Sequence, residues 1–425
     1  MPAKNVVAKK LYKAVSKGSI SFHEAIRFYR VLDVYFSRTK SRAGKLSGKQ
    51  ITGYLGKATS PDTKSAWTSV LFPAEMLHTF NIYPITLEVI AGTFSSLGLS
   101  PIFLNKAEGM DVPPTMCSFH RMLMGISKSG IMGAPRVVGA ASLLCDGNVK
   151  TFAEVAAEQR VPFVFIDVPY GESREAVAYV KEQLKSTLRT LAEISRVKNY
   201  NSAFHDVLEN ANRAFSMLRR FYDLQRMGSK NYFQAYEIAN FAFPNHFLLG
   251  RKEFVRMLET RCEEMKSKGK HNRFFTSPFT SEKARRLMWL HIVPQYNWPM
   301  WEIIDNGESS RVVCDEYSSV LYEDYDLADP LGSIARRLIN HPSNGPLERR
   351  IEHIIKVAKD FKVDGIVHYS SWGCHQAAGN VYILARELEA AGFKFLNLNG
   401  DAADIRNAGL EQHRTRLEAF LEHHG

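Results

Sequence analysis

The sequence predicts an α/β protein built from two open parallel-sheet units, and three observations predict it. Residues 137–144 are a near-continuous apolar run followed by the helical pattern VKTFAEVAAEQ and a second apolar run, PFVFIDVPY. That is the strand, helix, strand order of a parallel sheet buried on both faces. Residues 363–369 repeat the arrangement: helical periodicity follows from 375 to 390 through Val381, Leu384, Ala385 and Leu388, and then comes the apolar run 393–398. Each unit also carries a cysteine, Cys145 or Cys374, where an apolar run gives way to small polar residues. In open α/β sheets ligands bind beyond the carboxyl ends of the strands, so a cysteine there is a candidate for chemistry.

In chain order, residues 1–64 form a basic, helix-patterned segment, with apolar positions at Phe22, Ala25, Ile26, Tyr29, Val31, Leu32 and Tyr35. Its last part, SGKQITGYLGKATSPDTKS, has the Gly, Ser, Pro and Thr content of a linker or exposed loop. A first α/β domain is expected over 65–200. AWTSVLF reads as a strand and PAEMLHTF as a helix with Pro73 in its first turn, and ITLEVIAG comes next in the alternation, before the region of Cys117. Charged helices such as SAFHDVLENANRAFSMLRRFYDLQRM fill 201–282 as a helical layer. The second domain, 283–425, has RRLMWLHIV and SSRVVCDEY as strands, WPMWEIIDN, GSIARRLINHP and PLERRIEHIIKVAKDFKV as helices, Gly392 as the glycine closing the helix after Cys374, and a last amphipathic helix ending RLEAFLE.

A chain of 425 residues is long enough for two or three cores. No apolar run is long enough to span a bilayer and the amino-terminal stretch lacks a signal peptide's apolar segment, so a cytoplasmic protein without membrane association is expected. The net charge of +11 is spread along the chain rather than clustered with aromatics, which fits a phosphorylated small substrate or an acidic partner and does not point to nucleic acid.

Five cysteines with no CxxC pair argue against a disulfide framework. Cys117, in PPTMCSFHRMLMG, sits where a proline-rich loop enters a helix, where backbone N–H groups and the helix dipole favour a thiolate. Cys117, Cys145 and Cys374, from three separate loops, can hold one iron–sulfur cluster and leave one iron open to another ligand for Lewis-acid chemistry. Cys314, within an apolar strand, and Cys262, in a charged helix, read as small buried hydrophobes. Zinc would accept the three cysteines with His120 or His375, but the knuckle spacing of structural zinc sites is missing.

These residues resemble the 2-hydroxyacyl-CoA dehydratase family, whose superfamily includes ATP-dependent benzoyl-CoA reductases. The resemblance runs from about Trp67 to the carboxyl terminus, through WTSVLFPAE, CSFHRMLMG, LLCDGNVKTFAEVAAEQRVPFVFIDVPYG and VDGIVHYSSWGCH…GFKFLNLNGD…HRTRLEAFLE. It implies two open-sheet domains of the Rossmann or flavodoxin kind and one [4Fe–4S] cluster per chain on Cys117, Cys145 and Cys374. It also implies a related second subunit, an ATP-dependent iron–sulfur activator that injects one electron, and an acyl-CoA substrate. The implied reaction is ketyl-radical elimination of water from an (R)-2-hydroxyacyl-CoA to an enoyl-CoA. Family catalytic subunits use a serine in the hairpin led by the tryptophan and a glutamate about twenty residues after that tryptophan. Here Thr68 and Ser69 occupy the hairpin and Glu88 lies at that distance from Trp67, while Val70 stands where catalytic subunits tend to keep serine. That departure suits an electron-relaying subunit. A subunit of a benzoyl-CoA-type reductase is the alternative, and a larger double-cubane cluster would need more thiolates than this chain places well.

Overall fold

The computed structural model describes residues 2–36, 41–227, 235–239, 241–268, 284–296 and 298–422. The expected boundary at 282/283 and the end of the helical layer lie outside them, as do the side chains of Val31, Leu32 and Tyr35.

Two four-stranded, wholly parallel sheets organise the chain, as the apolar runs predict. The first comprises β1 (Ser65–Thr68), β2 (Tyr83–Thr86), β3 (Val137–Ala141) and β4 (Phe163–Ile166), in the order β2-β1-β3-β4. The second comprises β5 (Arg285–Leu290), β6 (Ser310–Asp315), β7 (Gly365–Ser371) and β8 (Lys394–Gly400), in the order β6-β5-β7-β8. The two orders are the same. In each, the chain leaves the first strand to one side and returns on the other, so the switch points lie between β1 and β3 and between β5 and β7.

Both faces of the inner strands β3 and β7 are covered and every residue in them is buried, whereas the edge strands β4 and β8 alternate buried with more exposed residues. Period-two alternation divides β5: Leu287 and Trp289 enter a large core shared with the first sheet's Trp67 and Val138, whereas Met288 and Leu290 enter a smaller outer core with Cys314, Ile354 and Leu384. The helix Arg174–Ser195 packs on the helix Pro330–Ile339 and ties the halves together, with Lys181 Nζ 2.6 Å from Asp329 Oδ1.

Three expectations change at the level of elements. Most of the segment read as a linker is helical: the helix Arg42–Ala58 is capped by Ser41, whose hydroxyl accepts from Gly44 N–H. Its glycines lower helix propensity, but Ile51, Tyr54, Leu55 and Ala58 recur at helical spacing and pack onto the first domain, where the Tyr54 hydroxyl donates to Pro84 O at 2.9 Å. ITLEVIAG is divided, with Ile85 and Thr86 ending β2 and Leu87 opening the helix Leu87–Ser96. The helix expected over 375–390 breaks at Gly379 and Asn380 into His375–Ala378 and Val381–Ala390. Among the described residues no single helix is long and apolar enough to cross a membrane.

Candidate functional site

The two switch points face each other across one cavity of about 110 Å³. Each strand beside a switch point contributes the residues that follow it: Val70 and Leu71 after β1, Leu144 and Cys145 after β3, His291 to Val293 after β5, and Cys374 after β7. Cys117 and Glu88 complete the wall. The three cysteines picked out in the sequence, from positions far apart in the chain, therefore converge.

Local structure explains each placement. Cys117 is the N-cap of the helix Ser118–Ser129, which is anchored to the other half by the hydrogen bond from Ser118 Oγ to Asp401 Oδ1. Arg121, one turn along that helix, lies 3.5 Å from both Asp401 and Asp404. Cys145 lies beyond the end of β3, in a turn where Leu144 takes a φ of 79°. Cys374 is the N-cap of His375–Ala378, and its loop is held by Arg350, whose guanidinium donates to Gln376 O at 3.1 Å and Asn380 Oδ1 at 3.3 Å.

The cysteine loops touch through glycine. Gly373 has a φ of 73°, and a Cβ on it would lie 2.6 Å from Cys117 N and 2.7 Å from Thr115 O. No L side chain fits there. Likewise a Cβ on Gly147 would lie 2.7 Å from His120 Nε2.

Burial decides the state of the thiols, against the expectation for Cys117. The N–H groups of Phe119 and His120 favour its thiolate, but burial outweighs them and, with neighbouring Cys374, pushes the thiol up. Cys145 is pushed up to about 11, and Cys374 is raised as well, both chiefly by burial. Without metal these are neutral thiols, so metal binding must displace their protons.

Glu88 stands in the first turn of Leu87–Ser96, where its Oε1 accepts from Val70 N–H at 3.2 Å and its Oε2 is buried without a partner. Burial raises its pKa to about 8, so it is chiefly protonated at neutral pH. Thr68 and Ser69 lie behind the wall. The Thr68 hydroxyl is 3.4 Å from that of Thr86, and Ser69 Oγ accepts from Ala141 N–H and donates to Val70 O, both at 3.2 Å. Cys262 and Cys314 are buried away from the cavity, as the sequence indicated.

Four histidines line the cavity, and the sequence reading names only His120 among them, as an alternative zinc ligand. His120 Nε2 is 3.2 Å from Cys145 Sγ, His291 Nε2 is 3.7 Å from Cys374 Sγ, and His246 Nδ1 accepts from Leu71 N–H at 3.3 Å. Burial lowers the first two to about 4 and about 3, with Arg350 also acting on His291, so both rings are neutral. His291 follows a strand end as Cys145 and Cys374 do, and that was its only signal. Among the described residues, the one set of three candidate ligand atoms within 4.8 Å of one another is the exposed His205, Asp206 and Glu209. The three thiols are spread more widely than the ligands of a single zinc ion.

Residues 69–423 match the family model described as 2-hydroxyglutaryl-CoA dehydratase, D-component. The chain belongs to this family. The matched residues include both sheets except β1, every cavity residue named above, and none of the amino-terminal helices. Within the family's wider circle, the chain is 22% identical over 375 residues to the (R)-phenyllactyl-CoA dehydratase alpha subunit of Clostridium sporogenes, covering 84% of this chain and 89% of that one. It is 22% identical over 295 residues to the beta subunit of that enzyme, covering 66% and 72%. It is also 24% identical over 320 residues to a benzoyl-CoA reductase subunit of Thauera aromatica, covering 68% and 71%. A component of the dehydratase family is thus placed within the superfamily that the sequence resembles.

Proposed function

We propose that this dehydratase component is an iron–sulfur subunit that holds one [4Fe–4S] cluster on Cys117, Cys145 and Cys374 and acts on a 2-hydroxyacyl-CoA, removing water to leave an enoyl-CoA. What carries the reading is the convergence of three thiols from opposed switch points on one cavity. The donor set suits the group: soft sulfur ligands, an apolar surround including Phe119 and Val293, and polar atoms without partners at Glu88 Oε2 and at Nδ1 of His120 and His291. When bound, such a cluster supplies one-electron chemistry and, at an iron without a cysteine ligand, Lewis acidity.

The chain's own residues supply the rest. Glu88, protonated at Oε2 or ionised after losing that proton, gives or takes a proton within the cavity. Thr68 and Ser69 hold the turn that aims the Val70 and Leu71 amides. The apolar wall excludes water, which strengthens each hydrogen bond to substrate. The cavity shares Tyr322 and His341 with a cleft of about 360 Å³ whose lining sets Arg336, Arg337 and Lys356 beside Glu323 and Asp324, and its cations suit a phosphorylated thioester tail. The relatives' paired alpha and beta subunits support a related second subunit, and an ATP-dependent activator supplies the electron.

A subunit of an aromatic acyl-CoA reductase is the second reading, favoured by the likeness to the Thauera aromatica protein. Anaerobic purification with iron and acid-labile sulfide analysis and EPR tests the cluster. About four irons and four sulfides per chain, lost in Cys374→Ala, are expected. Iron indifferent to Cys374 overturns the proposal, and consumption of benzoyl-CoA in place of 2-hydroxyacyl-CoA selects the second reading.

A further inference from the structure

The turn after β1 presents two consecutive backbone N–H groups to two different side chains. Val70 N–H is donated to Glu88 Oε1 and Leu71 N–H to His246 Nδ1, at 3.2 and 3.3 Å. Leu71 takes a φ of 64°, a conformation costly for a leucine and kept where surrounding contacts impose it. That conformation aims the second amide at the histidine. His246 comes from a distant part of the chain, the short helix Asn245–Leu248, which is fixed to the first domain by the contact of His78 Nε2 with Phe247 O at 2.9 Å.

An amide N–H can only be accepted by an unprotonated ring nitrogen, so the neutral imidazole must carry its hydrogen on Nε2. That nitrogen has no protein partner among the described residues, and the side chain is part-exposed within the cavity wall. Burial, and the charge of Arg337, lower the pKa of His246 to about 4, which keeps the ring neutral. A neutral donor of fixed tautomer stands beside a carboxyl fixed by the adjoining amide.

We infer that His246, through Nε2–H, is a substrate-binding residue that donates a hydrogen bond to the thioester carbonyl oxygen of the acyl-CoA. The inference rests on the thioester reading of the cavity. It assigns the carbonyl a donor that neither a cluster ligand nor the hairpin residues provide, and its acceptor side is occupied by protein, so the ring cannot rotate without leaving Leu71 N–H unpaired.

Two substitutions separate the two ring nitrogens. In His246→Asn, Oδ1 takes the place of Nδ1 and keeps the Leu71 contact, but the cavity-facing donor is gone. In His246→Gln, Nε2 keeps a donor near its original place. Binding of (R)-lactoyl-CoA and (R)-phenyllactoyl-CoA to the anaerobic, iron-loaded protein, with any subunit that co-purifies, is measured by calorimetry. About tenfold weaker binding is expected for His246→Asn, and binding within about threefold of wild type for His246→Gln, with iron content unchanged in both. Ring 15N NMR of the metal-free protein, with His246 assigned by its loss in the variant, is expected to show the Nε2–H tautomer. Equal binding by wild type and His246→Asn, or an Nδ1–H tautomer, overturns this inference and leaves the thioester reading standing. A wild type that binds neither thioester overturns both.

Discussion

Glu88 and Glu316 stand at corresponding places in the two halves, just beyond β2 and β6, and each accepts an N–H from the turn after the neighbouring strand: Val70 donates to Glu88 and His291 to Glu316. Their charge states are opposite. Burial by itself would raise Glu316, but Arg350 donates to it at 2.6 and 2.9 Å, and its charge holds the carboxyl down at about 2. Glu88 has no such cation among the described residues and rises to about 8. One copy of the position thus serves structure as a permanent ion pair, and the other keeps an exchangeable proton in the cavity.

The raised pKa of Glu88 makes stability depend on pH. An unfolded glutamate titrates near 4.5, so between 4.5 and about 8 the native chain binds more protons than the unfolded one. The Glu88 contribution is fully present below 4.5 and is lost as pH rises through 8. Glu88→Gln, which resembles the protonated form, should gain stability over wild type by up to about 1.4 kcal/mol per pH unit across that window. Urea unfolding of the metal-free proteins at pH 5 and pH 8 reads the difference, and parallel curves would contradict it.

Arg350→Met should cost about 3–5 kcal/mol, because it strands Glu316 in the interior. The double variant with Glu316→Gln should recover most of that loss, since the pair's removal takes its desolvation cost with it. Because Arg350 also holds Gln376 and Asn380 in place, both variants should retain less iron than wild type. Denaturant midpoints and iron analysis on the same preparations check the two effects separately.

Gly373→Ala should prevent the Cys117 and Cys374 loops from meeting. The added Cβ has neither room beside Cys117 N nor a favourable φ, and strain of about 1–3 kcal/mol is expected. Iron per chain should fall sharply, while far-UV circular dichroism stays at the wild-type value. Full iron loading in this variant would mean that the loops need not touch.

Cys262→Ala and Cys314→Ala should leave iron and sulfide content unchanged. Both side chains are buried away from the cavity, so their loss costs only packing, about 1 kcal/mol each. A drop in iron in either variant would argue against the assigned ligand set.

The part of the fold legible in the residues is the part that short-range physics encodes. Apolar runs such as 137–144 and 363–369 can be continuous only if both faces of a strand are covered, and the helices between them carry their own periodicity. Strand, helix, strand order therefore fixed the parallel sheets and put Cys145 and Cys374 beyond their carboxyl ends. Propensity misled where tertiary burial outweighed it: the glycines of Arg42–Ala58 read as a linker, yet Tyr54 and Leu55 hold that stretch as a packed helix.

That the two switch points face one another, and with that the site, follows from long-range packing alone. Nothing local links Leu71 to His246 or Gly373 to Cys117, since these contacts join residues far apart in the chain and exist only once it has folded. The proton on Glu88 has the same origin. A glutamate's charge depends on desolvation and on the nearest cation, and only the folded chain gave Arg350 to Glu316 while setting no cation of the described residues beside Glu88.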